Sequence, residues 1–150
     1  MKRLFPLLSA ALCTLLLTTS CRQDETPDTL SGTYRGKMEV ELNIPYAEID
    51  EWTITGQQAI VTKVDESYVD ITLNLNLAEH LGVSFPGQDL NFGMFTARCL
   101  VGPTIDGDTP LSGRATVAGQ SIVIYGEYDE RVLDITIPLG IVTVDFEGVR

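Results

Sequence analysis

The sequence predicts an all-β fold: an antiparallel up-and-down barrel of about eight strands, with a β-sandwich as the alternative. Three observations lead there. Apolar and polar residues alternate with period two through most of the chain after residue 31, the pattern of strands with one buried face. Short clusters of Gly, Pro, Asp and Asn separate the alternating runs, and tight turns join antiparallel neighbours. Hydrophobic residues make up 44% of the 150 residues, enough for one packed core, and the length suits a single domain.

The first run is the clearest. Tyr34, Gly36, Met38, Val40, Leu42 and Ile44 fall on one face, and Thr33, Arg35, Lys37, Glu39, Glu41 and Asn43 on the other, until Pro45 ends the ladder. Residues 47–52 read as a short non-strand segment, and a second strand covers 58–64 before Asp65-Glu66-Ser67 turns the chain. The third sets Val69, Ile71, Leu73, Leu75 and Leu77 against Asp70, Thr72, Asn74 and Asn76. Residues 76–82 then carry an N-cap Asn, a Glu three places on and a closing Gly, which predicts a helical turn placed to cover one end of the barrel.

Beyond it, 90–101 reads as a strand with Phe92 and Met94 on one side and Phe95 and Ala97 on the other. Residues 103–110, with Asp106-Gly107-Asp108, read as a loop; 113–118, 121–128, 132–137 and 141–149 read as the remaining strands. Eight strands linked in this way can close so that no edge stays unpaired, whereas a sandwich needs long crossing connections for which 103–110 is the best candidate.

The start of the chain is of another kind. Lys2 and Arg3 precede a greasy run over 4–17, too short for the ~20 apolar residues that cross a bilayer, so 1–20 is expected to be a secretory signal. Thr18-Thr19-Ser20-Cys21 resembles the lipobox of bacterial lipoproteins, which implies lipidation of Cys21 as the new first residue. The usual Leu stands three places before the Cys, and here Leu17 stands four before it, so ordinary cleavage after Ser20 stays open. Arg22-Gln23-Asp24-Glu25 is similar to acidic tags that send lipoproteins to the outer face of the outer membrane, or is simply a solvated tether. Residues 21–30 are expected to be flexible and 31–150 to be the barrel domain.

Gly32-Thr33-Tyr34-Arg35-Gly36 and Val144-Asp145-Phe146-Glu147-Gly148 resemble the two ends of the calycin-like (lipocalin-like) β-barrel family, small lipoproteins of Gram-negative gut bacteria. The resemblance implies a barrel lipid-anchored to the outer membrane, on its periplasmic or its cell-surface face. It implies no activity.

Chemistry is sparse in the pattern. The formal charge is −11, and −13 once residues 1–20 are removed, which excludes a nucleic-acid binder. His80 is the single His, so no multi-histidine zinc site can form, and it reads as a surface residue. Cys99, late in an apolar strand, reads as a small core residue. Asp106 and Asp108 lack the spacing of a calcium loop. Glu48, Asp50 and Glu51, and again Glu127, Asp129 and Glu130, read as solvated turn acids and not as paired catalytic carboxylates. No catalytic, metal or cofactor-binding residue is expected. The expected function is therefore a non-enzymatic membrane-anchored module that binds a glycan or protein, or serves a structural role. The alternatives are a carrier of a lipophilic ligand inside the barrel, with Tyr34 and Tyr125 as its polar groups, and an enzyme.

Overall fold

The computed structural model describes residues 24–43, 51–81 and 90–150. They form a short helix α1 (Pro27–Leu30), strands β1 (Gly32–Leu42), β2 (Glu51–Lys63) and β3 (Tyr68–Asn76), and a second short helix α2 (Leu77–Leu81). Strands β4 (Asn91–Val101), β5 (Asp108–Val117), β6 (Gln120–Asp129), β7 (Val132–Pro138) and β8 (Val142–Val149) follow. Each strand pairs antiparallel with the next, and β8 pairs with β1 to close an eight-stranded barrel. The sandwich alternative falls, because closure leaves no second sheet to pack against.

The β1–β8 seam shows why this sequence closes. Met38 lies opposite Phe146, Val40 opposite Val144 and Leu42 opposite Val142, all buried on the inner face. The intervening pairs, Lys37 with Glu147 and Glu39 with Asp145, face outward. Lys37 Nζ reaches Glu39 at 2.7 Å and Glu147 at 3.3 Å, so the wall carries attractive cross-strand contacts on its wet side. A slip of one residue would exchange the two faces, which fixes the register.

Two glycines break the alternation and reset it. Gly56 (φ 73°) sits where β1 and β2 shift register, so Ile54 and Gln57 both turn inward although they stand an odd three positions apart. Gly93 (φ 72°) lies at the corresponding irregularity between β3 and β4. There Phe95, Ala97 and Cys99 point into the core, Met94 points out at 67% exposure, and Phe92 packs back against the core edge. The expectation that Phe92 and Met94 share a face is corrected by this bulge.

Other boundaries differ as well. Residues 51–52, expected outside any strand, begin β2, while 44–50 lie outside the described residues. The loop over 103–110 is shorter than expected, because Asp106 (φ 54°) and Gly107 form a two-residue turn that pairs Ile105 with Asp108 and starts β5.

The expected tether over 21–30 is corrected in its last part. Pro27 opens α1, a position that tolerates its missing N–H, and the Thr29 hydroxyl accepts the Thr26 N–H at 2.8 Å. Leu30 has no exposed surface and joins the core cluster. An apolar residue at this place has somewhere to go, and burying it orders the turn that carries it. Residues 21–23 lie outside the described residues.

The two helices stand at opposite ends of the barrel. At the α1 end, Tyr34 Oη donates to the Leu30 carbonyl at 2.6 Å, and the Tyr128 ring meets the Tyr34 ring edge-on at 6.1 Å. The Arg150 guanidinium lies 5.8 Å from the Tyr34 ring centroid and donates to the carbonyls of Thr29 and Ser31. The last residue of the chain thus binds α1 to the barrel mouth. At the other end α2 forms as expected, with Leu77 buried and its N–H donating to the Leu90 carbonyl at 3.0 Å.

Candidate functional site

The inner wall is apolar and built to pack. Tyr34, Met38, Ile71, Leu73, Leu133 and Phe146 are among its largest fully buried side chains, and all belong to one cluster. Tyr34 is inside as expected, but its hydroxyl is engaged by Leu30, and burial pushes its pKa up to about 12 against the opposing charge of Arg150. Tyr125 is not inside. It lies on the outer face of β6 at 55% exposure, because Ile124 and Tyr128 take the inward phase. At the α2 end, Leu90, Phe92, Val117, Ile122, Leu139 and Ile141 line a half-open pocket of about 220 Å³ together with Gln120 and Gly140, and polar atoms supply much of its surface.

The structure scatters the sequence candidates for chemistry. His80 is exposed on α2, and Glu79 beside it is exposed too. Cys99 is buried, its Sγ 3.9 Å from the Ala97 carbonyl, and burial with the nearby Asp70 charge pushes its thiol up to about 12. A thiol held protonated is a poor nucleophile. Asp106 serves the β5 turn, and Asp108 begins the strand with backbone bonds to Ile105 in both directions, at 2.9 and 3.0 Å. Glu127, Asp129 and Glu130 are exposed around the β6–β7 turn. Glu51 lines an outer depression of about 230 Å³ with Glu39, Glu41 and Asp145, whereas Glu48 and Asp50, like Cys21, lie outside the described residues. Among the described residues no group of three or more His, Cys, Asp or Glu side chains could hold a metal ion.

What the fold does assemble is a wall with two unlike sides. Over β1, β7 and β8, Lys37, Glu39, Asp134, Thr136, Asp145 and Glu147 line an acidic groove of about 250 Å³. Partial burial raises the Asp134 carboxyl above its ordinary pKa, and the charges of Glu147 and Glu127 push the same way. Over β3 to β6, Tyr68, Leu100, Ser112 and Val123 line a broader, open depression of about 470 Å³ together with Arg98 and Arg114. Sequence reasoning placed none of this second group. The signal exists only in the register, which sets Tyr68 opposite Leu100, Leu100 opposite Ser112 and Ser112 opposite Tyr125.

These features define a small antiparallel barrel that is apolar within, charged without and plugged at one end by its own N-terminal turn. A solved structure shares the barrel fold. A crystal structure of a provisionally named outer membrane protein from Bacteroides fragilis NCTC 9343 superposes with a TM-score of 0.63 at 21% identity. The match covers 83% of this chain and 52% of that one, so the chain spans about half the length of its structural neighbour. At this identity the likeness establishes the fold. No family model matches the chain, and no curated protein matches it.

Proposed function

We propose that the protein is a non-catalytic lipoprotein of the outer membrane, held by a lipidated Cys21, whose barrel is a binding or structural module. The sidedness of the barrel carries this reading. A barrel that spans a bilayer turns apolar residues outward and polar ones inward, and each Lys or Arg at its lipid-facing midplane costs ~2–4 kcal/mol. Here Arg35, Lys37, Glu39 and Glu41 stand outward along β1, and Asp70, Arg98, Arg114, Asp134, Asp145 and Glu147 continue the charge around the wall. Such a wall belongs in water. Membrane attachment then falls to the segment before α1, where the lipobox resemblance at 18–21 supplies an acceptor. Two or more acyl chains hold a protein firmly, at ~0.8 kcal/mol for each buried CH₂. The name of the structural neighbour supports the outer membrane as the site. The acidic residues Asp24 and Glu25 support its cell-surface face over its periplasmic face.

A lipophilic carrier is the second reading, and the six apolar side chains lining the half-open pocket at the α2 end favour it. At about 220 Å³ that pocket falls short of the ~300 Å³ at which small-molecule pockets begin. The catalytic candidates His80 and Cys99 are, respectively, exposed and locked as a neutral thiol, which supports a non-enzymatic role.

Metabolic labelling with a clickable fatty-acid analogue tests the anchor. The wild-type chain is expected to take up label and Cys21→Ala to take up none. Label retained on Cys21→Ala would overturn the assignment.

A further inference from the structure

The geometry points to a binding site for carboxylate-bearing sugars on the outer face of β3–β6, centred on Arg114. It deepens the reading of the barrel as a binding module, since it names the ligand class. Arg98 and Arg114 are direct cross-strand partners on β4 and β5. Like charges in that position repel and destabilise a sheet. Asp70 on β3 resolves half of the conflict: its two carboxylate oxygens accept from Arg98 Nε at 3.0 Å and Nη2 at 3.1 Å. Arg114 has no such partner among the described residues, where Lys37, Lys63 and Arg98 are all ion-paired. Arg35 on β1 also lacks an ion pair among the described residues, but only Arg114 stands directly opposite another arginine, and an anion placed beside it would relieve the repulsion from Arg98.

The surroundings select the anion. One row along from the arginines, Tyr68, Leu100, Ser112 and Tyr125 face outward on four consecutive strands. Tyr68 on β3, Leu100 on β4 and Ser112 on β5 line the depression, a row ~10 Å across at ~4.8 Å per strand, while Tyr125 lies beyond its edge. Ser112 keeps its floor low and offers a hydroxyl, and the exposed apolar surfaces of Tyr68 (38%), Leu100 (42%) and Val123 (49%) form its sides. Aromatic and aliphatic faces with a planar cationic fork suit a ring that is apolar on one face and carries a carboxylate at its edge. The depression is open and of about 470 Å³, and a protein partner would need ~800 Å² of contact, more than it presents.

The test is calorimetric titration of the full chain, in non-ionic detergent, with trigalacturonate, its carboxyl-reduced counterpart, sodium acetate and a Glu-rich peptide. Saturable binding of trigalacturonate is expected, weakened at least ~10-fold in Arg114→Gln and by reduction of the carboxylates. Tyr68→Ala is expected to weaken it several-fold. Arg35→Gln, which removes the same charge from β1, is expected to leave it unchanged. Both arginines are exposed, and unchanged melting curves certify the variants as folded. Equal binding by Arg114→Gln, equal loss in Arg35→Gln, no saturable binding, or tighter binding of acetate or the peptide would each overturn the proposal. None of these outcomes bears on anchoring through Cys21, which the labelling experiment tests separately.

Discussion

Leu30 separates an ordered N-terminal plug from a mere tether. Its side chain has no exposed surface, its carbonyl receives the Tyr34 hydroxyl, and Arg150 holds the carbonyls on either side of it. Truncation to Ala removes buried carbon and leaves a cavity between α1 and the barrel end. For a fully buried Leu the expected loss is ~2–5 kcal/mol. The polar latches of Tyr34 and Arg150 restrain α1 from settling into the space, which favours the middle of that range or above, ~3 kcal/mol. With a urea m-value of ~2 kcal/mol/M, Leu30→Ala should lower the unfolding midpoint by ~1.5 M with m unchanged. Ile105→Ala is the control, since Ile105 is 63% exposed and its truncation should cost no more than ~0.5 kcal/mol. Equal midpoints for Leu30→Ala and wild type would refute the reasoning, because a residue in a solvated tether contributes nothing to the folded state.

Other expectations follow from the same geometry. Ala118 occupies the left-handed region (φ 48°) in the two-residue turn between β5 and β6, so Ala118→Asn should stabilise the fold by ~0.5–1 kcal/mol, read as a raised urea midpoint. The raised Asp134 carboxyl means that the native state favours its protonated form, so stability declines as pH rises from the unfolded carboxylate value through the raised native one. Asp134→Asn should therefore stabilise the protein slightly at pH 7, and the gain should vanish below pH ~4, where the wild-type carboxyl is protonated in both states. Cys99 should resist thiol alkylation in native buffer and react on unfolding, followed by mass spectrometry of the Cys99 peptide; rapid native labelling would contradict its burial.

The barrel was legible where the chain keeps strict phase. β1 from Tyr34 to Leu42, β3 and β8 alternate without interruption, and their inward residues match the buried ones. The first half of β2 was hidden because Gly56 inserts a residue and moves Ile54 out of step with Gln57. β4 hid the side of Phe92 by the same device at Gly93. The start of β5 reads as loop in the sequence because Pro110 and Asp106-Gly107 are turn residues in most settings, yet here Pro110 sits within β5 and its carbonyl accepts the Gly102 N–H at 2.8 Å. The α1 plug escaped because a single Leu after a polar stretch has no periodicity to read. The trough escaped for a deeper reason. Tyr68, Leu100 and Ser112 come from three strands, and only cross-strand register, which one sequence does not contain, brings them into a row.

The central claim is that the barrel is water-facing on its outer wall and depends on Cys21 for the membrane. Fractionation of cells expressing the full chain and its Cys21→Ala variant tests this most directly, each membrane fraction being washed with alkaline carbonate. The wild-type protein should stay with the washed membranes and Cys21→Ala should appear in the soluble fraction as a folded barrel. A Cys21→Ala chain that resists the wash would mean that the charged wall, or another segment, holds the membrane after all.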